Sequence, residues 1–385
     1  MKELKQAFIE KYGDHGEFST FFAPGRVNLI GEHTDYNGGY VFPCALSVGT
    51  YAIIRKREDK QINLFSLNFK EEGIIQEQVD DPHYKKRNGW ANYPLGVVSV
   101  FRNHGFRIPV GFDVAFYGNI PNGAGLSSSA SIELVMAAAL RDLYQLDVPM
   151  VDMVKLAQRA ENEFVGVNCG IMDQFAIGMG KKDYAILLNC ETLEFQYTPL
   201  DLSRHTLIIA NTNKQRGLAD SKYNERIAEC DQALQLLQQH LNIHKLGDIT
   251  ADQFEDYKYL IKDPVVQKRA KHVVYENRRT VNAVDKLNAG DIESFGRLMN
   301  ESHVSLRDDY EVTGKELDAL TEAAWKEGAI GSRMTGAGFG GCTINIVNKR
   351  AAEDFVEHVG KAYKQETGLE AEFYVVEIGD GAKRL

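Results

Sequence analysis

The sequence predicts an α+β protein of two lobes. Predicted helices and strands follow one another in a mixed order, without the regular β-α alternation of a doubly wound sheet. The second half carries longer charged amphipathic helices than the first. A length of 385 residues favours two or three domains. We therefore expect an N-terminal lobe over residues 1–200 and a C-terminal lobe over residues 201–385.

The elements of the first half follow from hydrophobic periodicity and β-branched content. Residues 1–12 are amphipathic at helical spacing, and residues 111–117 alternate as a half-buried strand does. In chain order we expect helix 1–12, strand 18–23, a glycine-rich loop to residue 39, a hairpin of strands 48–56 and 61–67, strand 111–117, helices 127–144 and 150–165, and strands near 184–189 and 205–211.

The second half begins with two long charged helices and ends in alternating short elements. In chain order we expect helices 219–241 and 265–288, helix 314–327, a glycine cluster at 336–341, strand 342–347, helix 350–365 and a final strand 371–378.

Composition and charge exclude several classes of protein. Apolar residues make up 44% and charged residues 25%, an ordinary globular balance, and the net charge is −10. An acidic chain argues against generic binding to nucleic acid or acidic membranes. Five cysteines without C-x-x-C spacing predict neither a disulfide framework nor a zinc site. With no signal-like or membrane-spanning stretch evident, we expect a cytoplasmic protein without an obligate protein partner.

A loop of small residues at 118–131 is the first candidate for ligand binding. It reads Gly-Asn-Ile-Pro-Asn-Gly-Ala-Gly-Leu-Ser-Ser-Ser-Ala-Ser, between a predicted strand and an apolar helix. Free amides at a helix N-terminus attract phosphate, and Gly123 and Gly125 permit close backbone approach. Taken alone, the run is more typical of a capped turn, because such turns are common. It is neither a Walker A loop nor a dinucleotide fingerprint, because the closing Lys and the glycine spacing are missing.

Two further clusters accompany this loop. Residues 24–39 contain Arg26, Glu32, His33 and Asp35 within a turn-rich stretch. Carboxylates beside a histidine suit a polyhydroxyl ligand, because a sugar offers many O–H donors. A solvated loop or a metal trio would use the same residue types.

The remaining cluster is glycine-rich and precedes a predicted strand. Residues 333–342 read Arg-Met-Thr-Gly-Ala-Gly-Phe-Gly-Gly-Cys. Such a run indicates close backbone approach, either to a ligand or to another chain segment.

Together, the three clusters resemble the characteristic motifs of the GHMP kinases, in order and separation, over essentially the whole chain. The stretch from Gly25 to Tyr36 is similar in particular to the members that act on galactose. The resemblance implies two α+β lobes with the active site in the cleft between them. It implies an ATP-dependent sugar 1-kinase that makes galactose 1-phosphate, the first committed step of galactose catabolism, with ATP as co-substrate and Mg²⁺ as cofactor. Ala337 departs from the glycine that many relatives carry.

The resemblance also implies a set of site residues, position by position. The catalytic pair is Asp173 and Arg26. The sugar contacts are Glu32, His33, Thr34, Asp35 and Tyr223. The nucleotide contacts are Ser66, Gly123, Ala124, Gly125, Leu126, Ser127, Ser128 and Ser129, with Trp90 and Tyr93 walling the adenine. The magnesium ligands are Ser129 and Glu161. Taken singly, each of these residues is more typical of a cap, a packing position or a surface.

Three alternatives stay open at this point. A related sugar 1-kinase would act on N-acetylgalactosamine or arabinose instead. A catalytically inactive galactose sensor would regulate transcription through a partner; such sensors lack residues of the serine stretch, which is intact at 127–131 here. A plain ATP-binding scaffold would leave Glu32, His33 and Asp35 unexplained.

Overall fold

The computed structural model describes residues 1–121, 124–214 and 219–385, with the backbone alone at 219–221. Within these ranges the chain is α+β, as predicted. The strands are β1 (Ser19–Asn28), β2 (Tyr40–Val41), β3 (Pro43–Lys56), β4 (Gln61–Ser66), β5 (Ile75–Gln78), β6 (Phe112–Gly118), β7 (Tyr184–Asn189), β8 (Phe195–Pro199), β9 (His205–Asn211), β10 (Gly331–Thr335), β11 (Cys342–Asn348), β12 (Glu372–Val376) and β13 (Lys383–Arg384).

The α-helices of the described ranges flank these strands. They are α1 (Lys2–Tyr12), α2 (Asn92–Asn103), α3 (Ser128–Tyr144), α4 (Met150–Arg159), α5 (Met172–Met179), α6 (Ala219–Leu237), α7 (Ala251–Tyr257), α8 (Pro264–Asn288), α9 (Ile292–Ser305), α10 (Lys315–Lys326) and α11 (Ala352–Thr367). None of them is long and apolar enough to cross a membrane.

A six-stranded sheet in the order β13-β1-β3-β6-β4-β5 forms the first half of the fold. Helices α2 to α5 cover one face and share its main apolar core, while α1 packs on the other face through Leu4 and Phe8. The last strand of the chain, β13, pairs antiparallel with β1.

The predicted hairpin of β3 and β4 is wrong, because β6 lies between these two strands. β6 pairs antiparallel with β3 and parallel with β4. Its carboxylate Asp113, 1% exposed, accepts hydrogen bonds from Arg55 and Arg57 on the β3 side and from Asn63 on β4. A buried charge needs such partners, and sequence proximity alone does not reveal them.

β1 extends further than predicted, through Pro24 and Gly25 to Asn28. The register against β3 shifts between Pro24 and Arg26, as at a β-bulge. A Cβ at Gly25 would lie 2.8 Å from the carbonyl oxygen of Leu126. Glycine at this position therefore lets the 124–127 segment approach the strand that carries Arg26.

The second half is built on the antiparallel sheet β10-β11-β9-β12. Helices α10 and α11 share a core with it. The long helix α8 begins at Pro264 after Asp263, whose carboxylate caps the first turn by accepting from Val265 N. A separate apolar core joins residues of both large sheets, among them Val27, Phe42, Leu207 and Ile344.

The predicted helix over 150–165 is only partly α-helical. After α4 the chain continues as a π-helical turn over Ala160–Val165, which contains Glu161. Such turns are frequent at functional sites because they displace one side chain relative to regular α-helix.

Candidate active site

The charged centre of the candidate site is the pair of Arg26 and Asp173. Arg26 Nε donates to Asp173 Oδ1 and Arg26 Nη2 to Asp173 Oδ2, both at 2.7 Å. The Arg26 side chain is 5% exposed and that of Asp173 28%. Arg26 stands on β1 and Asp173 in the first turn of α5, so the pair joins the sheet to the helix layer. The fork geometry fixes the orientation of both groups.

The small-residue loop lies against this pair. Arg26 Nη1 donates to the carbonyl of Gly125 at 2.9 Å, and Arg26 N donates to the carbonyl of Leu126 at 3.2 Å. Ser127 Oγ donates to Asp173 Oδ2 at 2.5 Å. Gly125 has φ 72°, in the left-handed region that favours glycine. The predicted contact Gly123 lies outside the described residues.

Glu161 faces the same loop from the π-helical turn. It accepts a hydrogen bond at 2.6 Å from Gln174 Nε2. Burial and the nearby charge of Asp173 raise the pKa of Glu161, and the side chain of Ser129 lies close enough to act in the opposite direction. The structure thus brings both predicted magnesium ligands together.

A second carboxyl lies behind Glu161. Gln174 Nε2 also donates to Glu133 Oε2 at 3.2 Å, and Glu133 is fully buried. Burial and the charge of Glu161 raise the pKa of Glu133 well above its ordinary value. This corner of the site therefore holds two buried carboxyl groups, and besides burial a neighbouring negative charge raises the pKa of each.

Asp35 lies close to the pair from the opposite side. A Cβ on Gly170 would come within 2.0 Å of Asp35 Oδ2, so the carboxylate occupies the space that this glycine leaves open. Burial, followed by the negative charge of Asp173, raises the pKa of Asp35 to about 7. Two carboxyl groups held close to each other are typical of a site that binds a hydrogen-bond donor or a cation.

Aromatic rings surround the neighbouring His33. Its ring centroid lies 5.8 Å from that of Tyr223 and 4.9 Å from that of Tyr310, and its Nδ1 is 2.9 Å from the hydroxyl of Tyr36. Burial lowers the pKa of His33 to about 3, so the imidazole is neutral at pH 7. Burial, followed by the charge of Asp35, raises the pKa of Tyr223 well above its ordinary value, and Asp173 adds to the shift, so this predicted sugar contact lies near both carboxylates.

The two remaining predicted sugar contacts are buried and already engaged. Glu32 Oε2 accepts from Arg333 Nη2 at 2.6 Å. The hydroxyl of Thr34 lies 2.9 Å from the carbonyl of Gly31 and 2.7 Å from that of Tyr40. The Thr34 side chain therefore forms its hydrogen bonds with the backbone near its own loop, and its predicted contact with sugar stays a prediction.

A cavity of about 200 Å³ opens beside the loop and is lined by residues of the first sheet and of helices α2 and α3. Its lining includes the predicted residues Ser66, Trp90, Tyr93, Ser128 and Ser129. The rings of Phe69 and Trp90 are nearly parallel, 10° apart, with centroids separated by 6.3 Å. Flat aromatic walls of this kind suit a planar heterocycle.

Comparisons with known protein families match three parts of the chain. The galactokinase galactose-binding signature matches residues 6–56. The GHMP kinases N terminal domain matches residues 92–181 and the GHMP kinases C terminal domain residues 283–365.

Relatives match over the full length. The galactokinase of Clostridium beijerinckii is 58% identical over 383 residues, covering 99% of this chain and 98% of that protein. The galactokinase of Bacillus subtilis is 54% identical over 385 residues, covering 100% and 99%. The chain belongs to the galactokinase family. The resemblance that the sequence clusters indicated is confirmed.

Solved structures place the galactokinase-family chain in the same fold. The galactokinase of Lactococcus lactis, crystallised in complex with galactose, superimposes with a TM-score of 0.97 at 47% identity, covering 100% of this chain and 99% of that one. The mevalonate kinase of Methanococcus jannaschii has a TM-score of 0.67 at 18% identity, covering 95% and 100%, and shares the fold alone.

For this member of the galactokinase family, sequence reasoning missed the residues that support the predicted ones. Arg333 pairs with Glu32, Gln174 bridges two carboxyls, and Gly170 makes room for Asp35. Arg333 stands inside the third cluster, and Gly170 and Gln174 lie within three residues of Asp173, so proximity to a predicted site residue was the available signal.

Proposed function

We propose that the chain transfers the γ-phosphoryl group of ATP to the C1 hydroxyl of galactose, giving galactose 1-phosphate and ADP. The observation that carries the proposal is the Arg26–Asp173 pair, which contacts Gly125 and Ser127 of the small-residue loop and lies close enough to Asp35 to change its pKa. A kinase needs phosphate and acceptor on the two sides of its charged centre, because the reacting oxygens must approach in line. Membership of the galactokinase family supports the choice of ATP and galactose.

Galactose is proposed to lie against the loop that carries Glu32, His33, Thr34 and Asp35, with Tyr223 on its other side. The Lactococcus lactis relative, 47% identical, is the one whose structure contains galactose. Asp35 and Glu32 supply acceptors for ring hydroxyls, and the aromatic ring of Tyr223 supplies an apolar surface for the C–H face of a sugar. A sugar whose hydroxyl groups match these acceptors would form hydrogen bonds that a sugar with a different arrangement of hydroxyl groups leaves unmade.

Asp173 is proposed to orient the C1 hydroxyl and to accept its proton as the new O–P bond forms. An ionised carboxylate offers about four acceptor positions. The described contacts use three of them, two from Arg26 and one from Ser127. One position at Oδ1 therefore remains for the substrate hydroxyl.

Arg26 is proposed to offset the charge that develops on the phosphoryl oxygens while the bond to the β-phosphate breaks. The loop over 118–131 contains no lysine, so the cation must come from another element. The backbone amides at the start of α3 add fixed positive dipoles that need no reorganisation during the reaction.

The nucleotide is proposed to place its phosphates along the loop of Gly123, Ala124, Gly125, Leu126, Ser127, Ser128 and Ser129. Its adenine would enter the cavity lined by Ser66, Trp90 and Tyr93. The cavity reaches the two serines that open α3, so one ligand can occupy both places.

Ser129 and Glu161 fit a magnesium ion. Both donors are oxygens, their side chains lie close to each other, and Mg²⁺ commonly takes one or two protein oxygens while keeping water and phosphate ligands. When bound, Mg²⁺ supplies positive charge to the phosphate oxygens.

Three further parts of the proposal rest on sequence predictions. They are the division into lobes at residues 1–200 and 201–385, the cytoplasmic location, and the lack of nucleic-acid, membrane and obligate protein partners.

The test is ATP consumption by the purified chain over a panel of monosaccharides, with product identity established by mass spectrometry and phosphorus NMR. We expect the highest kcat/KM with galactose and phosphorylation at C1. A higher kcat/KM with N-acetylgalactosamine or arabinose would identify that sugar, and not galactose, as the substrate. Galactose binding without any ADP formation would favour the inactive sensor.

A further inference from the structure

Arg333 is the largest of the fully buried side chains, with 0% exposure, and it belongs to the second half of the chain. From β10 it donates through Nη2 to Glu32 Oε2 at 2.6 Å and through Nη1 to the carbonyl of Asn28 at 2.7 Å. The Glu32 side chain is 3% exposed. A guanidinium thus spans both ends of the short segment from Asn28 to Glu32.

The same segment is held by further groups from the second half. Thr335 Oγ1 accepts from Asn28 N at 3.2 Å and lies 3.3 Å from Asn28 O. Glu276 Oε1, from α8, accepts from Gly31 N at 2.9 Å. His272 Nε2 lies 3.1 Å from the carbonyl of Glu32. The loop that leads into the proposed sugar contacts is therefore shaped by residues more than 230 positions away in sequence.

Arg333 also links this loop to the third glycine cluster. Burial raises the pKa of Glu32, whereas Arg333 and the backbone of Gly336 lower it. Since the strand of Arg333 runs directly into that cluster, the carboxylate lies close to both. Removing the guanidinium would take away the charged donor to Glu32 Oε2, and a buried carboxylate without that donor relaxes toward water or another partner.

We propose that Arg333 is a positioning residue for galactose: it holds Glu32 and the backbone of Asn28 so that the 32–35 loop keeps its binding geometry. This inference rests on the proposed function, because it takes the loop to be the sugar site. A lysine would keep the charge but offers no planar fork for two acceptors. Arginine is therefore the residue type that this double contact requires.

The test compares Arg333→Met and Arg333→Lys with matched changes at Arg55. Arg55 is also a buried arginine paired with a carboxylate, Asp113, with side-chain exposures of 6% and 2%. Its other hydrogen bonds go to backbone carbonyls at the end of α1 and in the loop that follows it, and none goes to a proposed site residue. Arg55→Met and Arg55→Lys report what loss of a buried ion pair does to the fold alone.

Calorimetry would measure the dissociation constants of galactose and of ATP separately for each variant, alongside its melting temperature. We expect Arg333→Met to weaken galactose binding by at least tenfold and ATP binding by less than threefold, with Arg333→Lys intermediate for galactose. The Arg55 variants should lose thermal stability while both dissociation constants stay within threefold of the unchanged chain.

Thr335→Val provides a milder variant should Arg333→Met fail to fold. It is nearly isosteric, removes the hydroxyl that holds Asn28, and should weaken galactose binding by a few-fold with ATP binding unchanged. Equal loss of galactose and ATP affinity at Arg333, or galactose binding untouched in both Arg333→Lys and Thr335→Val, would overturn the positioning role. If the unchanged chain neither binds nor phosphorylates galactose, the proposed function fails first, and independently of these variants.

Discussion

Arg26 and Asp173 form a two-point ion pair in which each carboxylate oxygen receives one N–H of the guanidinium at 2.7 Å. A third N–H group of Arg26, on Nη1, donates to the carbonyl of Gly125, so the arginine links the acid to the loop of small residues. The acid therefore presents a free acceptor position, while the cation holds the acid and the loop in place and supplies the positive charge proposed to act on the phosphoryl oxygens.

Replacing Asp173 by asparagine should remove the proton acceptor while keeping the shape of the side chain. We expect kcat for galactose to fall by roughly two to four orders of magnitude, the usual range for a general-base contribution. Galactose and ATP should still bind by calorimetry. Asp142→Asn, at a surface pair with Arg384, is the matched control and should leave kcat unchanged. Near-normal turnover in Asp173→Asn would remove the residue from the chemical step.

Replacing Arg26 by lysine should keep the positive charge and lose the fork. One ammonium cannot reproduce both 2.7 Å contacts and the bond to Gly125, so kcat should fall while galactose affinity changes little. In combination with Asp173→Asn the losses should be strongly non-additive, because both residues serve one step. Single-turnover rates of the two single variants and the double variant measure this. Losses that multiply cleanly would show independent roles.

Replacing Asp35 by asparagine should stabilise the ligand-free protein above neutral pH. Burial and Asp173 raise the pKa of Asp35 from 3.8 to about 7, so the folded state binds this proton more tightly than the unfolded chain does. The stability that Asp35 contributes is therefore complete below about pH 4 and is lost as the pH rises to about 7. We expect Asp35→Asn to melt at a higher temperature than the unchanged chain at pH 8, with the difference shrinking toward pH 4.

The control variant for this experiment should show the opposite dependence of stability on pH. Hydrogen bonds from Arg57 lower the pKa of Asp59 to about 2, so Asp59→Asn should lose a little stability at neutral pH and none near pH 2. Differential scanning calorimetry over this pH range compares both variants. A melting curve of Asp35→Asn that parallels the unchanged chain at every pH would contradict the raised pKa.

Replacing Glu161 by glutamine should raise the magnesium concentration needed for half-maximal rate. The substitution keeps the size of the side chain but removes its charge from the oxygen pair formed with Ser129, and Mg²⁺ strongly prefers charged oxygen ligands. Glu163→Gln, two residues further on and exposed, should leave the magnesium titration unchanged. Binding of Mn²⁺ followed by electron paramagnetic resonance gives a readout that does not depend on turnover. The two variants behaving alike would argue against Glu161 as a ligand.

Replacing Gly125 by alanine should weaken ATP binding. Its φ of 72° costs a residue with a Cβ about 1 kcal/mol or more, and its carbonyl must stay in place to accept from Arg26. Gly105 has φ 85°, and a Cβ there would meet no atom within 4 Å, so Gly105→Ala carries similar backbone strain away from the site. Calorimetric ATP affinity reduced in Gly125→Ala and preserved in Gly105→Ala is the expected result. Equal ATP affinities in the two variants would indicate that the loop is an ordinary turn and not a phosphate-binding loop.

Much of the fold was predictable because its signals are local. Helical spacing identified α1, α3 and α8, and alternation identified β6, within a few residues of their observed bounds. The hairpin of β3 and β4 failed because strand order depends on long-range pairing. β6 comes later in the chain and pairs with both of these strands, and no local pattern encodes that choice.

The sequence by itself determined the family, the fold class and the three segments that carry the candidate site. These properties reside in short runs of glycine, serine and charged residues whose order along the chain is distinctive. Only the tertiary structure decided which atoms meet: Arg26 with Asp173, Glu161 with Gln174, and Arg333 with Glu32. The physical reason is that a buried charge is tolerated only where packing delivers a partner. Arg333 reaches the loop after Asn28 through the folding of the whole chain, since 301 positions separate it from Glu32.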